Sequence, residues 1–302
     1  MYLGIDLGTS NSAIVGNQDG ELRLFKTIDG TDILPSVVMQ ERGGGLYVGK
    51  KAYDQLQTSP NSVVAKFKRL LGTKTELTLA KGERRISPEE ASAEVLRTLV
   101  KQVDSAIGDV EIEGCIITVP AAFDQLQSEA TARAANDAGL ERVGLLQEPI
   151  AAAMASLEKA NGKDGLFLVY DLGGGTFDVA LVRSISNSVT IEANEGIKML
   201  GGGDFDRSIL NAIIYPWVHK HFDIPEDAQT DEGYRRMFAI ARHAAEQAKI
   251  ELSSLEETTI YVSEDETRLT DRSGKEIYIE IPFSRDQLNE LVAERIDQSV
   301  DL

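Results

Sequence analysis

Cysteine is almost absent. The single one, Cys115, excludes any internal disulfide, and its place in the apolar run CIITV predicts a buried, inert thiol. Long apolar runs are missing as well. None approaches the roughly 18 residues that a membrane-spanning helix needs, and the first residues carry no charged-then-apolar export leader. A cytoplasmic address is the expectation. Cations are in short supply: Lys and Arg number 31 against 49 Asp and Glu, for a net charge of −18. That balance argues against a nucleic-acid or anionic-membrane partner and favours solubility. No Gly-Lys-Ser or Gly-Lys-Thr leads into a helix, so a P-loop is excluded. What remains is an ordinary globular composition over 302 residues, long enough for one large domain or two lobes with substantial cores.

The stretch VYDLGGGTFDVALV, Val169 to Val182, organises the reading of the chain. It enters apolar, turns through Gly173, Gly174 and Gly175, and leaves as a second alternating run, which reads as strand, tight loop, strand. A loop without Cβ atoms can bring its backbone N–H groups close to a ligand, and N–H groups in a concave loop make an anion site. Asp171 and Asp178 bracket the loop. Carboxylates beside a phosphate cradle repel the phosphate unless a cation sits between them, so the stretch predicts phosphate together with a divalent metal. A dinucleotide fold requires a helix after the glycines, and FDVALV leaves at strand period instead. Taken alone, three glycines favour a plain hairpin. Tyr2 to Gly16, YLGIDLGTSNSAIVG, repeats the pattern, with Asp6-Leu7-Gly8 matching Asp171-Leu172-Gly173. The repetition suggests a duplicated lobe, each copy offering a glycine hairpin to a shared cleft with Asp6 and Asp171 facing across it.

Strands are expected at Glu21–Ile28, Leu34–Val38 and Leu46–Gly49, with Arg42 to Gly45 as a plain turn and Lys50–Thr58 helical. Val64 to Gly72, VAKFKRLLG, reads either as a solvated helix face or as a lysine aimed at a γ-phosphate. Ser87-Pro88-Glu89-Glu90 is a capping box that starts a helix running to about Ala106. Gly114–Val119 is a buried strand, Leu126–Ala138 a helix, Val143–Leu146 a short strand and Ile150–Glu158 an Ala-rich helix. Gly162 to Gly165 is the candidate linker between lobes. After a strand at Val189–Ala193, LGGGDFD (Leu200–Asp206) precedes a helix expected over Arg207–Phe222. Asp204 reads there as an ordinary cap, or the glycines as an anion site. A helix over Asp231–Leu252 carries Glu246, Lys249 and, near its end, Ser253 on one side; its pattern is that of a solvated face. Strands are expected at Thr258–Ser263, Thr267–Thr270 and Glu276–Ile281, and Ser284 to Gln287 caps a last helix.

Taken together, GIDLGTSNS at 4–12, LPSVV at 34–38, KRLLG at 68–72, ITVPAAF at 117–123, QEPIAAAM at 147–154, VYDLGGGTFDVALV at 169–182, LGGGDFD at 200–206 and EQAKIELSS at 246–254 resemble the nucleotide-binding domain of the seventy-kilodalton heat-shock chaperones, the DnaK family, within the actin and sugar-kinase superfamily. The resemblance implies an α/β, two-lobed, actin-like ATPase fold: duplicated ribonuclease-H-like lobes with a cleft between. Lobe I would cover 1–162 with an inserted subdomain at about 35–90. Lobe II would cover 163–302 with an insertion at about 204–285, its final part missing. It implies that Gly8, Thr9, Ser10 and Asn11 hold phosphates from one side and Gly174, Gly175 and Thr176 from the other. Lys68 would sit at the γ-phosphate, and Glu148 would orient water or the metal shell, with Asp171 and Thr176 completing the catalytic group. Asp6, Asp171 and Asp178 would hold Mg²⁺ mostly through waters, with K⁺ nearby. Gly201, Gly202, Glu246, Lys249 and Ser253 would serve the rest of the nucleotide. ATP and ADP are the implied ligands, a J-domain co-chaperone and a nucleotide-exchange factor the implied partners, and peptide clients would bind only through a C-terminal domain outside this chain.

Three departures stand out. Gln147-Glu148-Pro149-Ile150 replaces Asn-Glu-Pro-Thr, Gly201-Gly202-Gly203-Asp204 replaces Gly-Gly-Glu-Asp, and Ser128 stands where the family has an Arg eight residues after Pro120. Ser cannot clamp a partner bidentately as Arg can, so hydrolysis is expected to persist while coupling to a substrate domain changes. The chain stops at Leu302 before the family's later Gly-Gly-Ser-type adenosine loop, as a fragment or as a naturally short protein. The competing expectations are a non-catalytic ATP-dependent switch, a sugar or metabolite kinase on the same fold, and an actin-like filament.

Overall fold

The structure is a computed structural model that describes residues 1–41, 43–79, 84–108, 110–159, 164–186, 188–231 and 233–302. It is mixed α/β and divides into two compact units: Met1–Tyr53 with Asn61–Met199 and Leu302, and Asp54–Pro60 with Leu200–Asp301. Residues 162 and 163 of the expected linker at 162–165, and with them the expected lobe boundary, fall outside the described residues, as does Arg42 of the first glycine run.

The first unit begins with β1 (Tyr2–Leu7), β2 (Asn11–Gln18), β3 (Glu21–Leu24), β4 (Leu34–Pro35), β5 (Val37–Gln40) and β6 (Leu46–Val48). Helix α1 (Lys50–Thr58), whose residues from Asp54 on count with the second unit, follows, then β7 (Val63–Ala65), β8 (Leu77–Leu79) and β9 (Arg84–Ile86). It continues through α2 (Pro88–Ile107), β10 (Gly114–Val119), α3 (Gln125–Asp137), β11 (Val143–Gln147), α4 (Glu148–Lys159), β12 (Gly165–Leu172), β13 (Phe177–Ile185) and β14 (Ser188–Ile197). The main sheet runs β11-β10-β1-β2-β3, with β4 paired to β2. β10 lies parallel to β1 and β2 antiparallel to it, in the register Leu7↔Ser12. Period-2 patterning decides which face is covered: Leu3, Ile5 and Leu7 are buried with Ile14, Ile117 and the α2 residues Val95, Leu96 and Leu99, while Tyr2, Gly4 and Asp6 point the other way. Each fully buried Leu or Ile contributes about 1.5–3 kcal/mol. The end of β1 is therefore rigid, and Asp6 and Gly8 emerge from a fixed strand. Cys115 is buried in the same core, and desolvation pushes its thiol up to about 12.

A second sheet, β12-β13-β14, is antiparallel throughout, with Leu172↔Phe177 closing its first hairpin. Its covered face is small: Ala153 of α4 meets Ala180 and Val182, with Val169, Val189 and Ile191 partly buried against them.

Helix starts are legible where side chains cap. Ser87 accepts from the Glu90 amide and Glu90 from Ser87, and Asp124 with Gln127 makes a second such box that went unread in the sequence. A cap of this kind stabilises by about 1 kcal/mol.

In the second unit, α5 (Gly202–Ile209) passes through one π turn, Leu210–Ile214, into α6 (Tyr215–His221). Then come α7 (Arg235–Glu251), β15 (Glu257–Val262), the short α8 (Glu264–Thr267), β16 (Ile279–Ser284) and α9 (Arg285–Val300), opened by a Ser284–Gln287 box. Its core joins Met237, Ile240 and Ala241 of α7 to Ile260, Val262, Ile279 and Phe283 of the β15–β16 hairpin.

Three expectations are corrected. The helix expected from Arg207 begins five residues earlier, at Gly202. Asp204 is therefore a buried first-turn residue and not the cap; Gly201 holds the cap position without a side chain. Burial of Gly203, Asp204, Asp206 and Ile209 outweighs the poor helix propensity of glycine. Of the strand expected at Thr267–Thr270, Thr267 ends α8, whose start is capped by Ser263 and Glu266, Arg268 is its left-handed C-cap, and only Thr270 forms a bridge, an isolated one to Glu276. Val64 to Gly72 is no solvated helix face: β7 is followed by a 3-10 turn over Phe67–Leu70 whose Phe67 and Lys68 are buried.

Candidate functional site

Within the first unit lies a cleft of about 440 Å³ lined by Asp6, Gly8, Thr9, Ser10, Asn11, Lys68, Thr118, Glu148, Ala151, Ala152, Asp171, Gly173, Gly174 and Thr176. Its walls are the two glycine turns. The β1–β2 turn brings Gly8 against its own return strand: a Cβ at Gly8 would stand 2.0 Å from the Asn11 carbonyl oxygen. The β12–β13 turn is closed by the Gly173 amide donating to the Thr176 carbonyl at 3.0 Å. This second turn sits directly on the first. A Cβ at Gly174 would lie 2.0 Å from Ser10 Oγ, and one at Gly175 would lie 2.5 Å from Thr9 Cγ2. Only glycine permits that approach, because any side chain at either position would have to displace its neighbour.

Lys68 reaches the cleft through local backbone geometry. Lys66 takes a left-handed conformation (φ 60°, ψ 19°), and Phe67 and Leu71, both buried to within 1% of complete, pin the turn from either side. Lys68 Nζ donates to Glu148 Oε1 at 2.6 Å and stands 5.6 Å from the centre of the Phe123 ring. Glu148 opens α4 where β11 ends. Burial pushes its carboxyl above the usual carboxylate range, outweighing the opposing pull of Lys68. A pair this enclosed repays its desolvation only while both partners remain.

Asp6 accepts from Thr118 Oγ1 at 2.9 Å. Asp171 is also held above the carboxylate range, first by burial and then by the charge of Asp6. Asp178 is the cross-strand neighbour of Asp171. It is buried behind the cleft, where it accepts from the Ala122 amide at 3.3 Å, and burial raises it too. Among the described residues no group of three or more His, Cys, Asp or Glu is placed to hold a metal directly. Asp6 raises Asp171 and Asp171 raises Asp178, yet the three form no cage; that arrangement fits a hard divalent cation that keeps its waters, and such a charge would offset the repulsion between Asp6 and Asp171.

The cleft thus gathers Asp6, Gly8, Thr9, Ser10, Asn11, Lys68, Glu148, Asp171, Gly174 and Thr176, with Gly175 and Asp178 packed behind it. The other predicted residues belong to the second unit. There Lys249 Nζ donates to the Gly202 carbonyl at 3.0 Å and to Asp206 Oδ1 at 2.5 Å, so Lys249 is tied to the start of α5 and does not form a free, solvated face. Glu246 lies 3.7 Å from His243 Nδ1, Ser253 is exposed, Gly201 is buried and Gly202 is half-buried. Sequence reading gave no role to Thr118, Ser12 or Ser36. All three sit inside the motifs quoted above, but a hydroxyl's partner is invisible without the fold.

Comparison with known proteins follows the same lines. The family model described as Hsp70 protein matches residues 2–81 and 74–301. The Chaperone protein DnaK of Thermotoga neapolitana is 35% identical over 300 residues, covering 98% of this chain and 48% of the relative. That of Mycoplasmopsis agalactiae is 36% identical over 301 residues, 99% and 48%. That of Halobacterium salinarum is 37% identical over 262 residues, 85% and 39%. The chain spans about half the length of the curated relatives it matches. On the family match and these identities, the chain belongs to the Hsp70 protein family.

Proposed function

We propose that this chain is the ATP-binding and ATP-hydrolysing part of a DnaK-like chaperone. The observation that carries the reading is the juxtaposition of the two glycine turns, Gly174 against Ser10 and Gly175 against Thr9, beside the buried Lys68–Glu148 pair. Turns that close offer amides from two sides to one chain of phosphates. The reaction this suits is phosphoryl transfer to water, in which the protein contributes position and charge more than covalent chemistry. Lys68 would neutralise charge at the terminal phosphate. Glu148, already holding the ammonium, would orient the attacking water, and its raised carboxyl suits it to share a proton there. Asp6 and Asp171, with Asp178 behind, would hold Mg²⁺ through waters, and the ion would supply charge neutralisation on the phosphates; K⁺ belongs to the proposal by resemblance. Gly201, Gly202, Glu246, Lys249 and Ser253 keep their nucleotide assignment on resemblance alone. The actin-like lobes at 1–162 and 163–302 rest on the resemblance and on the recurrence of Asp-Leu-Gly in two strand–turn–strand units. J-domain and exchange-factor partners, peptide clients through a separate domain and a reducing, cytoplasmic setting complete the reading.

The test is calorimetric titration with Mg-ATP and a phosphate-release assay on wild type, Lys68→Ala and the double variant Lys68→Met/Glu148→Gln. Release should fall about 100-fold or more in Lys68→Ala while ATP still binds. The single variant leaves Glu148 buried and unpaired, at a cost of about 3–5 kcal/mol; the double variant should recover that stability without recovering release. Equal turnover in wild type and Lys68→Ala would remove Lys68 from the mechanism. Binding without release in the wild type would leave a nucleotide switch, not an ATPase.

A further inference from the structure

The first glycine turn is held by a closed circuit of hydroxyls. The Gly8 amide donates to Ser12 Oγ at 3.1 Å. Ser36 Oγ donates to the Gly8 carbonyl at 2.9 Å. The two hydroxyl oxygens lie 2.9 Å apart. Ser36 has one hydroxyl proton and spends it on Gly8, so Ser12 must donate to Ser36. The ring then runs Gly8 N–H to Ser12, Ser12 to Ser36, and Ser36 to the carbonyl of the same Gly8, with every proton used once. Both serines are buried to within 1% of complete, so no solvent competes. Ser36 acts a second time through its backbone, its amide donating to the Ser10 carbonyl at 2.8 Å.

The consequence lies in the peptide planes. In a trans peptide the C=O and the following N–H point in opposite directions. Ser36 draws the carbonyls of Gly8 and Ser10 toward itself, which turns the Thr9 and Asn11 amides the other way. Ser36, which sits between β4 and β5, is remote in sequence from the turn and does not line the cleft.

We propose that Ser36, closing the circuit with Ser12, is the positioning residue that aims the Thr9 and Asn11 amides at the phosphate chain. The proposal rests on the phosphate-binding reading of the cleft. Among the described residues the closure recorded for the second turn is the Gly173–Thr176 backbone bond, with no hydroxyl pair like that of the first.

The test measures the Mg-ATP dissociation constant and the melting temperature of the nucleotide-free protein for wild type, Ser36→Ala, Ser36→Thr and Ser12→Ala. Ser36→Ala leaves the Gly8 carbonyl and the Ser12 proton without a partner, and the dissociation constant should rise about tenfold or more. Ser36→Thr keeps the hydroxyl and should stay within about threefold of wild type. A change of less than threefold in Ser36→Ala, or a Thr variant as weak as the Ala variant, overturns the proposal, as does a lower melting temperature with unchanged affinity. If Ser36→Ala does not fold, Ser12→Ala breaks the same circuit and is read by the same thresholds. A wild-type chain that binds no Mg-ATP is a different failure: it sinks the phosphate reading itself.

Discussion

The two Asp-Leu-Gly turns share a sequence but not a support. In the first, the strand before the glycine buries Leu3, Ile5 and Leu7 in the large core against α2, and the turn is pinned by the Ser12–Ser36 circuit. In the second, no residue of β12 is fully buried. Leu168 remains 69% exposed, Leu166 and Tyr170 project from the same face, and the core beneath is three small residues. One turn is fixed by its own scaffold. The other keeps its place largely through what it touches, Gly174 on Ser10 and Gly175 on Thr9. A repeated motif therefore specifies a local shape, while its rigidity is set by the packing around it.

The sharpest way to break this comparison is to put a methyl group on each turn. At Gly8 the added carbon meets a backbone carbonyl, Asn11 O at 2.0 Å, which can move only with the strand. At Gly174 its nearest neighbour is the hydroxyl of Ser10, which can rotate, although Ser10 Cβ at 2.9 Å must still give a little. Gly8→Ala should weaken Mg-ATP binding about 100-fold, the scale of a roughly 1 Å misplacement in a preorganised site. Gly174→Ala should weaken it about tenfold, and Gly173→Ala, whose nearest neighbour is 3.5 Å away, by less still. Titration calorimetry on the three variants checks the order. A Gly174 variant weaker than the Gly8 variant would reverse the assignment of the rigid turn.

Stability should show the same contrast at the middle residue of each motif. Leu7 is 1% exposed and Leu172 half-buried. Leu7→Ala should cost about 3–5 kcal/mol in urea unfolding and Leu172→Ala about 1–2 kcal/mol. Leu168→Ala should change stability by no more than about 0.5 kcal/mol. Comparable losses at Leu7 and Leu172 would mean that β12 is more tightly packed than its exposed face suggests.

Much of this was legible in the sequence. Capping boxes at Ser87 and Ser284 are local chemistry, and their helices begin where the residues say. The apolar alternation around Asp6 and Asp171 gave both hairpins. What failed did so for tertiary reasons. The Gly202–Ile209 helix opposes glycine's own preference and exists because its residues are buried. On its own residues Lys68 stays open between a solvated cation and a phosphate ligand, because nothing in KRLLG announces the left-handed residue at Lys66 or the partner 80 residues away. Ser36 was quoted within LPSVV without a role, since its partners lie 24 and 28 residues distant and become neighbours only when β4 pairs with β2.

The smallest expected effect separates two aspartates of opposite sign. Asp171 is held above its ordinary value by burial and by Asp6, so the folded chain binds its proton more tightly than the unfolded chain. Stability attributable to it falls as pH rises from about 4 through the folded value. Asp271 is the reverse. Ser273 Oγ donates to its Oδ1 at 2.6 Å, the Ser273 and Lys275 amides donate to the same oxygen, and the Asp223 amide donates to Oδ2. Its carboxyl is lowered to about 2, and the stability it contributes is present above its unfolded value and lost as pH falls through the folded one. In chelator and without nucleotide, Asp171→Asn should therefore melt higher than wild type near neutral pH, with the gain fading by about pH 4. Asp271→Asn should melt lower near neutral pH, with the deficit closing as pH approaches about 2. Melting curves across that range check both signs. A neutral-pH loss in Asp171→Asn would mean that its charge is already compensated in the metal-free cleft, and the case for a cation between Asp6 and Asp171 would weaken with it.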